Sequence, residues 1–358
     1  MDIKTLKAVG DKFRLPGKIY SFKLITSGNI NFTYKVTYKQ GKSIKNYLFQ
    51  KVNTYVFKSP SDIMENIDKI TEHIREKNPG KLSLHFHHTE NGQNYYMDSD
   101  DEFWRIMNFV DSVSYNTAED LKIVYSTGKA FGDFQHQLAD FDASSLHETI
   151  HDFHNTKKRL QVLFRDAEED VCGRAEEVRE ELDYIRSMAE EASLLSEMYE
   201  RGDFPPRVTH NDTKSNNVLL DKNSKEPLLV IDLDTVMPGM AMYDFGDGVR
   251  FIASTAVEDE PDLDSVWLDL DKYRAFAEGF IPSIKNSLTK TEVDNMARGV
   301  FSITIELAAR FLDDYLTGDK YFKTDYEGHN LVRARCQLKL ARDMYDKKDE
   351  MERIVNEI

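Results

Sequence analysis

With 358 residues and a formal net charge of -16, the chain is long enough for two lobes with separate cores. It is too acidic overall to favour a nucleic-acid or anionic-membrane partner. Cys172 and Cys336 lie far apart without metal-ligand spacing, which argues against a disulfide framework or a zinc site. The first residues lack an apolar secretory core and no apolar run approaches ~18 residues, so a cytoplasmic protein is expected.

The first third reads as strand-rich. Ser21 to Thr26 and Thr33 to Tyr38 form two candidate strands around Ser27-Gly28-Asn29-Ile30-Asn31-Phe32. That turn has two readings, a plain hairpin turn and a cradle whose backbone N–H groups meet phosphate, with Gly28, Asn29 and Asn31 as the nucleotide-binding residues. Asn46 to Val52 is a third strand. Ser59-Pro60-Ser61-Asp62 then marks a helix start with Ser59 as N-cap, and Ile63, Ile67, Ile70 and Ile74 form one stripe. Tyr95 to Met97 and Phe103 to Val110 predict a hairpin around an acidic turn.

Helical patterns dominate from Thr117 onward. Thr117-Ala118-Glu119-Asp120 reads as a capping box preceding a face with Leu121, Val124, Gly128, Phe131, Phe134 and Leu138. The expected division is therefore an N-terminal nucleotide-binding lobe at 1–110 and a helical C-terminal lobe at 111–358 that carries the catalytic loop and acceptor site. Another helix spans Val178 to Tyr199 and ends at Arg201-Gly202.

Chemistry concentrates between Val208 and Gly248. Val218 to Leu220 and Leu228 to Ile231 predict a small hairpin, with Asp212 and Asn217 before it and Asp232 at its end. His-x-Asp, then Asn five residues after that Asp, then an Asp closing an apolar strand, matches a phosphotransfer layout. In that layout Asp212 takes the acceptor proton while Asn217 and Asp232 hold magnesium. Oxygen donors of this kind suit a hard cation. His210 reads as a packed support for the loop. Lys214 has two readings, a contact to the transferring phosphate and a solvated lysine.

Thr209-His210-Asn211-Asp212-Thr213-Lys214, Asn216-Asn217-Val218, Asp232 to Gly239 and Tyr243-Asp244-Phe245-Gly246-Asp247 resemble the aminoglycoside phosphotransferase and choline kinase group. Within it the text is most similar to bacterial N-acetylhexosamine 1-kinases, and similar text extends over nearly the whole chain. The resemblance implies an α+β, protein-kinase-like two-lobe fold with a mostly antiparallel sheet in the N-lobe, a larger helical C-lobe, and ATP with Mg2+ as cofactors. It makes Asp212 the catalytic base, Asn217 and Asp232 the metal ligands, and Asp244 an acid that steadies the catalytic loop. The implied reaction phosphorylates the anomeric 1-hydroxyl of an N-acetylhexosamine. Kinases for aminoglycosides, choline or homoserine are the alternatives, and a non-catalytic nucleotide-binding module is the reading from another class.

One departure stands out. Kinases of this fold carry a cation on the third strand, paired with a helix Glu, but the matching place here holds Gln50. Lys51 should face the other way, because strand side chains alternate. A shift of one residue would instead pair Lys51 with Glu65. Farther on, Met296, Val300, Ile303, Leu307 and Phe311 mark a buried helix face with Arg310 against it. A guanidinium there needs a partner: either Glu306 one turn back, or a substrate. The resemblance implies the latter, with Arg310 and Tyr321 as sugar-binding residues.

Overall fold

Alternation of side chains along the first strands builds a sheet whose two faces do different work. In the computed structural model, which describes residues 2–26, 31–55 and 57–358, helix α1 (Ile3–Lys12) precedes β1 (Lys18–Ile25), β2 (Phe32–Gln40) and β3 (Ser43–Val52). After α2 (Pro60–Lys77) come β4 (Tyr96–Met97) and β5 (Phe103–Asn108), giving the antiparallel order β1-β2-β3-β5-β4. Tyr34, Val36, Tyr38, Tyr47, Phe49, Trp104 and Ile106 turn to one face, where Leu6, Val9 and Phe13 cover them. Each such large apolar side chain contributes about 1.5–3 kcal/mol when fully buried. The sequence reading assigned no element to α1. Its stripe is only three residues wide within a lysine-rich segment, and Asp2 caps it by accepting from Thr5 N at 2.8 Å.

The opposite pleat places Thr33, Gln50 and Arg105 side by side, because Thr33 pairs with Gln50 and Gln50 with Arg105 in the ladder. Helix α2 buries Ile63, Met64, Ile67 and Ile70. It starts at Pro60 as the sequence predicts, although Ser59 at the N-cap position makes no side-chain capping bond. Chain contacts divide the molecule into two units, the first comprising Met1–Ser112, Ser145–Thr149 and Ile231–Val236 and the second the remainder.

The second unit holds α3 (Leu121–Gln137), α4 (Thr156–Glu169), α5 (Arg179–Glu200), the short strands β6 (Arg207–Thr209), β7 (Val218–Leu220), β8 (Pro227–Val230) and β9 (Met237–Gly239), then α6 (Ala241–Ile252), α7 (Leu270–Ile284), α8 (Lys290–Asp294), α9 (Met296–Leu316), α10 (His329–Asp346) and α11 (Lys348–Glu357). An antiparallel sheet with a helix in one lobe and a larger helical second lobe is the protein-kinase-like architecture. The expected capping box at Thr117 is corrected: α3 begins at Leu121, and Asp120 caps it by accepting from Lys122 N at 2.9 Å. Leu121, placed on the buried face by its spacing, is 45% exposed. Core residues of the second unit come from α4, α5, α9 and α10, among them Leu160, Leu163, Ile185, Ile305, Phe311, Leu312 and Leu338.

Candidate active site

The segment after β6 is a loop whose backbone has few partners of its own, so buried acids supply them. Asp244, on α6, accepts from His210 N at 2.7 Å, Asn211 N at 2.8 Å and Gln135 Nε2 at 2.6 Å. One turn along, Asp247 accepts from Thr213 N at 2.8 Å. Asp212 is thus flanked on both sides by residues whose N–H groups are fixed. Asn211 lies in the left-handed region at φ 63°, which Asn tolerates, and this bends the loop between the two anchors. His210 is fully buried, edge-on to Phe131 and Phe134, and its Nδ1 accepts from Asp212 N at 3.3 Å. It packs and hydrogen-bonds within the loop.

Burial pushes the Asp244 pKa upward against the three N–H donors that favour its charged form. Burial presses on Asp247 in the same direction, but Arg250 and Lys214 outweigh it and hold that carboxyl below its ordinary range. Arg250 reaches Asp247 Oδ1 with Nε at 3.0 Å and Nη2 at 2.8 Å. Asp247 belongs to the central motif, yet its position in the sequence assigns it no role by itself. Its spacing of three from Asp244 on a helix places both acids on one face, and that was the available signal.

Asp212 itself is partly exposed. Its carboxylate receives Lys214 Nζ on Oδ1 at 2.9 Å and Asn217 Nδ2 on Oδ2 at 3.2 Å. Lys214 is therefore an ion-pair partner of Asp212, which raises its pKa, and differs from the solvated lysine of the alternative reading. Asn217 also donates to the Asp212 carbonyl at 2.9 Å. With both amide hydrogens committed to Asp212, the oxygen of Asn217 is the end suited to a cation.

The hairpin of β7 and β8 follows, and Asp232 comes two residues after β8 in the first unit. Asp232 is exposed and sits in the left-handed region at φ 61°, whereas Asp234 is 3% exposed and bound by Arg105. The two acids of Asp232-Leu233-Asp234 therefore have different surroundings, and the exposed one fits an oxygen-liganded magnesium. The end of this loop is held by Asn66 of α2, whose Nδ2 donates to Val236 O at 3.1 Å.

Among the remaining expected residues, Gly28 and Asn29 lie outside the described residues. Asn31 Nδ2 donates to Asp234 Oδ2 at 2.8 Å, and its Oδ1 accepts from Asn53 N at 3.0 Å, so its side chain is committed within the protein. Gln50 turns to the Arg105 face, while Lys51 pairs with Glu102 at 2.9 Å. The alternative pairing of Lys51 with Glu65 is not formed: Glu65 pairs with Lys69 at 2.8 Å. A cavity of about 730 Å³ at the end of β5 is lined by Lys35, Asn46, His85 and Phe109 among others, and none of the expected site residues lines it.

On α9, the i to i+4 pair between Glu306 and Arg310 is also absent. Glu306 is fully buried and bonds His154 Nδ1 at 2.7 Å and Thr156 Oγ1 at 2.8 Å. Burial disfavours a charged His154, yet Glu306 holds its pKa above the usual imidazole value. The Arg310 guanidinium instead lies 5.0 Å from the Phe153 ring, 5.5 Å from Phe322 and 5.9 Å from Tyr321. It has no hydrogen bond or ion pair among the described residues. Asp314, one turn on, fixes the segment carrying Tyr321 by accepting from Lys320 N, Tyr321 N and Phe322 N at 2.8, 2.8 and 2.9 Å. The sequence reading missed Asp314. Tyr321 itself is 63% exposed.

A partly exposed Asp in a braced loop and an Asn bonded to it thus lie within a protein-kinase-like fold. The family model described as the phosphotransferase enzyme family matches residues 21–276, and the chain belongs to that family. Solved structures share the fold at low identity. An aminoglycoside phosphotransferase from Alicyclobacillus acidocaldarius is 13% identical with a TM-score of 0.62, over 98% of this chain and 96% of that one. A microcompartment-associated aminopropanol kinase is 13% identical with a TM-score of 0.60, over 98% and 99%. Choline kinase from Cryptosporidium parvum is 15% identical with a TM-score of 0.55, over 94% and 92%. Among the described residues no helix is long and apolar enough to cross a membrane.

Proposed function

We propose that the protein transfers the γ-phosphoryl group of ATP to the anomeric 1-hydroxyl of an N-acetylhexosamine, yielding the sugar 1-phosphate and ADP. Asp212 orients the acceptor hydroxyl and takes its proton as the bond to phosphorus forms. Asn217 and Asp232 hold magnesium, which when bound neutralises charge on the phosphates. Lys214, paired with Asp212, adds positive charge beside that carboxylate. Nucleotide use agrees with the family and with the ADP complex recorded for an aminoglycoside phosphotransferase of the same fold.

The observation that carries the acceptor assignment is the Arg310 guanidinium among three aromatic rings, without a carboxylate partner among the described residues. Its N–H donors suit hydroxyl and acyl oxygens, and an exposed Tyr321 ring suits a sugar face. The same observation weighs against cationic acceptors such as aminoglycosides or choline. Arg159 lies near enough to Arg310 that burial first, and Arg310 second, depress its pKa. Two guanidiniums repel an ammonium group.

An ADP-release assay across N-acetylglucosamine, N-acetylgalactosamine, glucose, galactose, choline, homoserine and kanamycin tests this reading, with phosphorus NMR of the product. Turnover with the N-acetylhexosamines and an anomeric phosphate is the expected result. Preference for choline or kanamycin, or phosphate at a non-anomeric position, overturns the acceptor assignment and leaves a kinase. No ADP release with any acceptor favours the nucleotide-binding module.

A further inference from the structure

The third strand of this protein carries a neutral Gln50 where a cation would be expected, yet a buried cation lies one strand away. Arg105, the ladder partner of Gln50 on β5, is 2% exposed. Its Nη1 reaches Asp234 Oδ1 at 2.5 Å, its Nη2 reaches Oδ2 at 3.0 Å, and its Nε donates to Gln50 Oε1 at 2.8 Å. Gln50 Nε2 in turn donates to Thr33 Oγ1 at 3.0 Å, and Asn31 Nδ2 adds a second donor to Asp234 Oδ2. The side-chain bonds therefore run from β2 through β3 and β5 to the loop that carries Asp232.

We infer that Arg105 is a positioning residue for the metal loop: it fixes Asp234 as a buried structural acid, so that Asp232 is the acid of that loop presented to magnesium. The inference rests on the reading of Asp232 as a metal ligand. Its physical basis is that two carboxylates two residues apart have different surroundings, one 3% exposed in a bidentate pair and the other exposed in a left-handed turn. Without Arg105, Asp234 is a buried carboxylate that has lost its bidentate partner, and its side chain is driven out of the interior. The turn that sets Asp232 moves with it. Outer partners that orient metal ligands typically change metal affinity by ~10–100-fold when removed. Gln50 acts in the same assembly by holding the Arg105 Nε, a role for which a third-strand lysine, having no acceptor, is unsuited.

The test is calorimetric ADP binding as a function of magnesium concentration, with thermal unfolding in parallel, on the full chain. Wild type is compared with Arg105→Met, the double variant Arg105→Met/Asp234→Leu, and the control Lys51→Met, whose side chain lies on the opposite pleat and pairs with Glu102. Arg105→Met leaves a lone buried acid and is expected to lose thermal stability. The double variant replaces the buried ion pair with apolar groups and is expected to regain most of it. In both, the magnesium concentration for half-maximal ADP binding should rise at least ~10-fold, while Lys51→Met leaves it unchanged. A double variant that recovers stability and keeps the wild-type magnesium requirement overturns the inference, because the pair then only stabilises the fold. Wild type whose ADP binding ignores magnesium instead overturns the underlying metal-site reading.

Discussion

The Thr213 N–H donates to the buried Asp247 carboxylate at 2.8 Å, one helical turn from Asp244, which receives the N–H groups of His210 and Asn211. The loop around Asp212 is thereby fastened to the first turns of α6 on both sides of the residue proposed as the base. Asp244→Ala leaves the N–H groups of His210 and Asn211 buried without acceptors, at about 1–3 kcal/mol each. The expected outcome is a lower midpoint of chemical denaturation together with at least a tenfold loss of turnover. Full turnover in a destabilised Asp244→Ala protein would show that the anchor serves folding alone.

Gly246 lies between those two acids because α6 must approach α9 closely. A Cβ on Gly246 would stand 2.5 Å from Gly299 O, and one on Gly299 would stand 2.2 Å from Met242 O. Overpacking at such a contact costs about 1–3 kcal/mol. Gly246→Ala is expected to lower stability by that amount and to reduce turnover, since it shifts Asp244 and Asp247 together. Unfolding curves and steady-state kinetics check both effects.

Arg310→Ala is expected to raise the acceptor KM tenfold or more and leave the nucleotide KM near its wild-type value. Among the described residues the side chain has no ion pair to lose, so the stability lost should be limited to its ring contacts, at about 0.5–1 kcal/mol each. Arg310→Glu should go further, reducing N-acetylhexosamine turnover and improving the relative use of choline or kanamycin. An unchanged acceptor KM in Arg310→Ala would remove this residue from the acceptor site.

Asp313 supplies a pH-dependent contribution away from the site. Burial, then the neighbouring carboxylates Asp166 and Asp314, push its pKa from the ordinary 3.8 up to about 7. Between those two values the folded protein holds a proton that the unfolded chain releases. Its contribution to stability is therefore greatest at low pH and is lost as pH rises toward 7. Asp313→Asn should flatten this slope, leaving the variant more stable than wild type at pH 8 and nearly equal to it near pH 4. Denaturation midpoints measured over that range give the comparison.

How far the sequence revealed this site depended on whether a residue's partner lay nearby in the chain. The β7–β8 hairpin, the Asp212 to Asn217 loop and the α2 start at Pro60 are set by local turn chemistry and apolar spacing, and they were legible. Gln50 was readable as facing opposite to Lys51 because strand alternation needs no knowledge of the partner strand. Arg105 was not readable, since its partner Asp234 lies 129 residues away and the intervening chain gives no hint of the pairing. Asp314 and Asp247 were missed for a related reason: an acid that accepts backbone N–H groups looks like an ordinary surface acid until the loop over it is seen. Glu306 shows the converse, because helical spacing offered Arg310 as its partner while the fold supplied His154 and Thr156 instead.

Asp212→Asn tests the central claim most directly. ADP release with N-acetylglucosamine is measured for wild type and variant, alongside calorimetric ADP binding in magnesium. Loss of the base should reduce turnover by about 10²–10⁴-fold, with nucleotide affinity and unfolding midpoint within a small factor of wild type. Near-normal turnover in Asp212→Asn would contradict the assignment of this carboxylate as the base of the phosphotransfer.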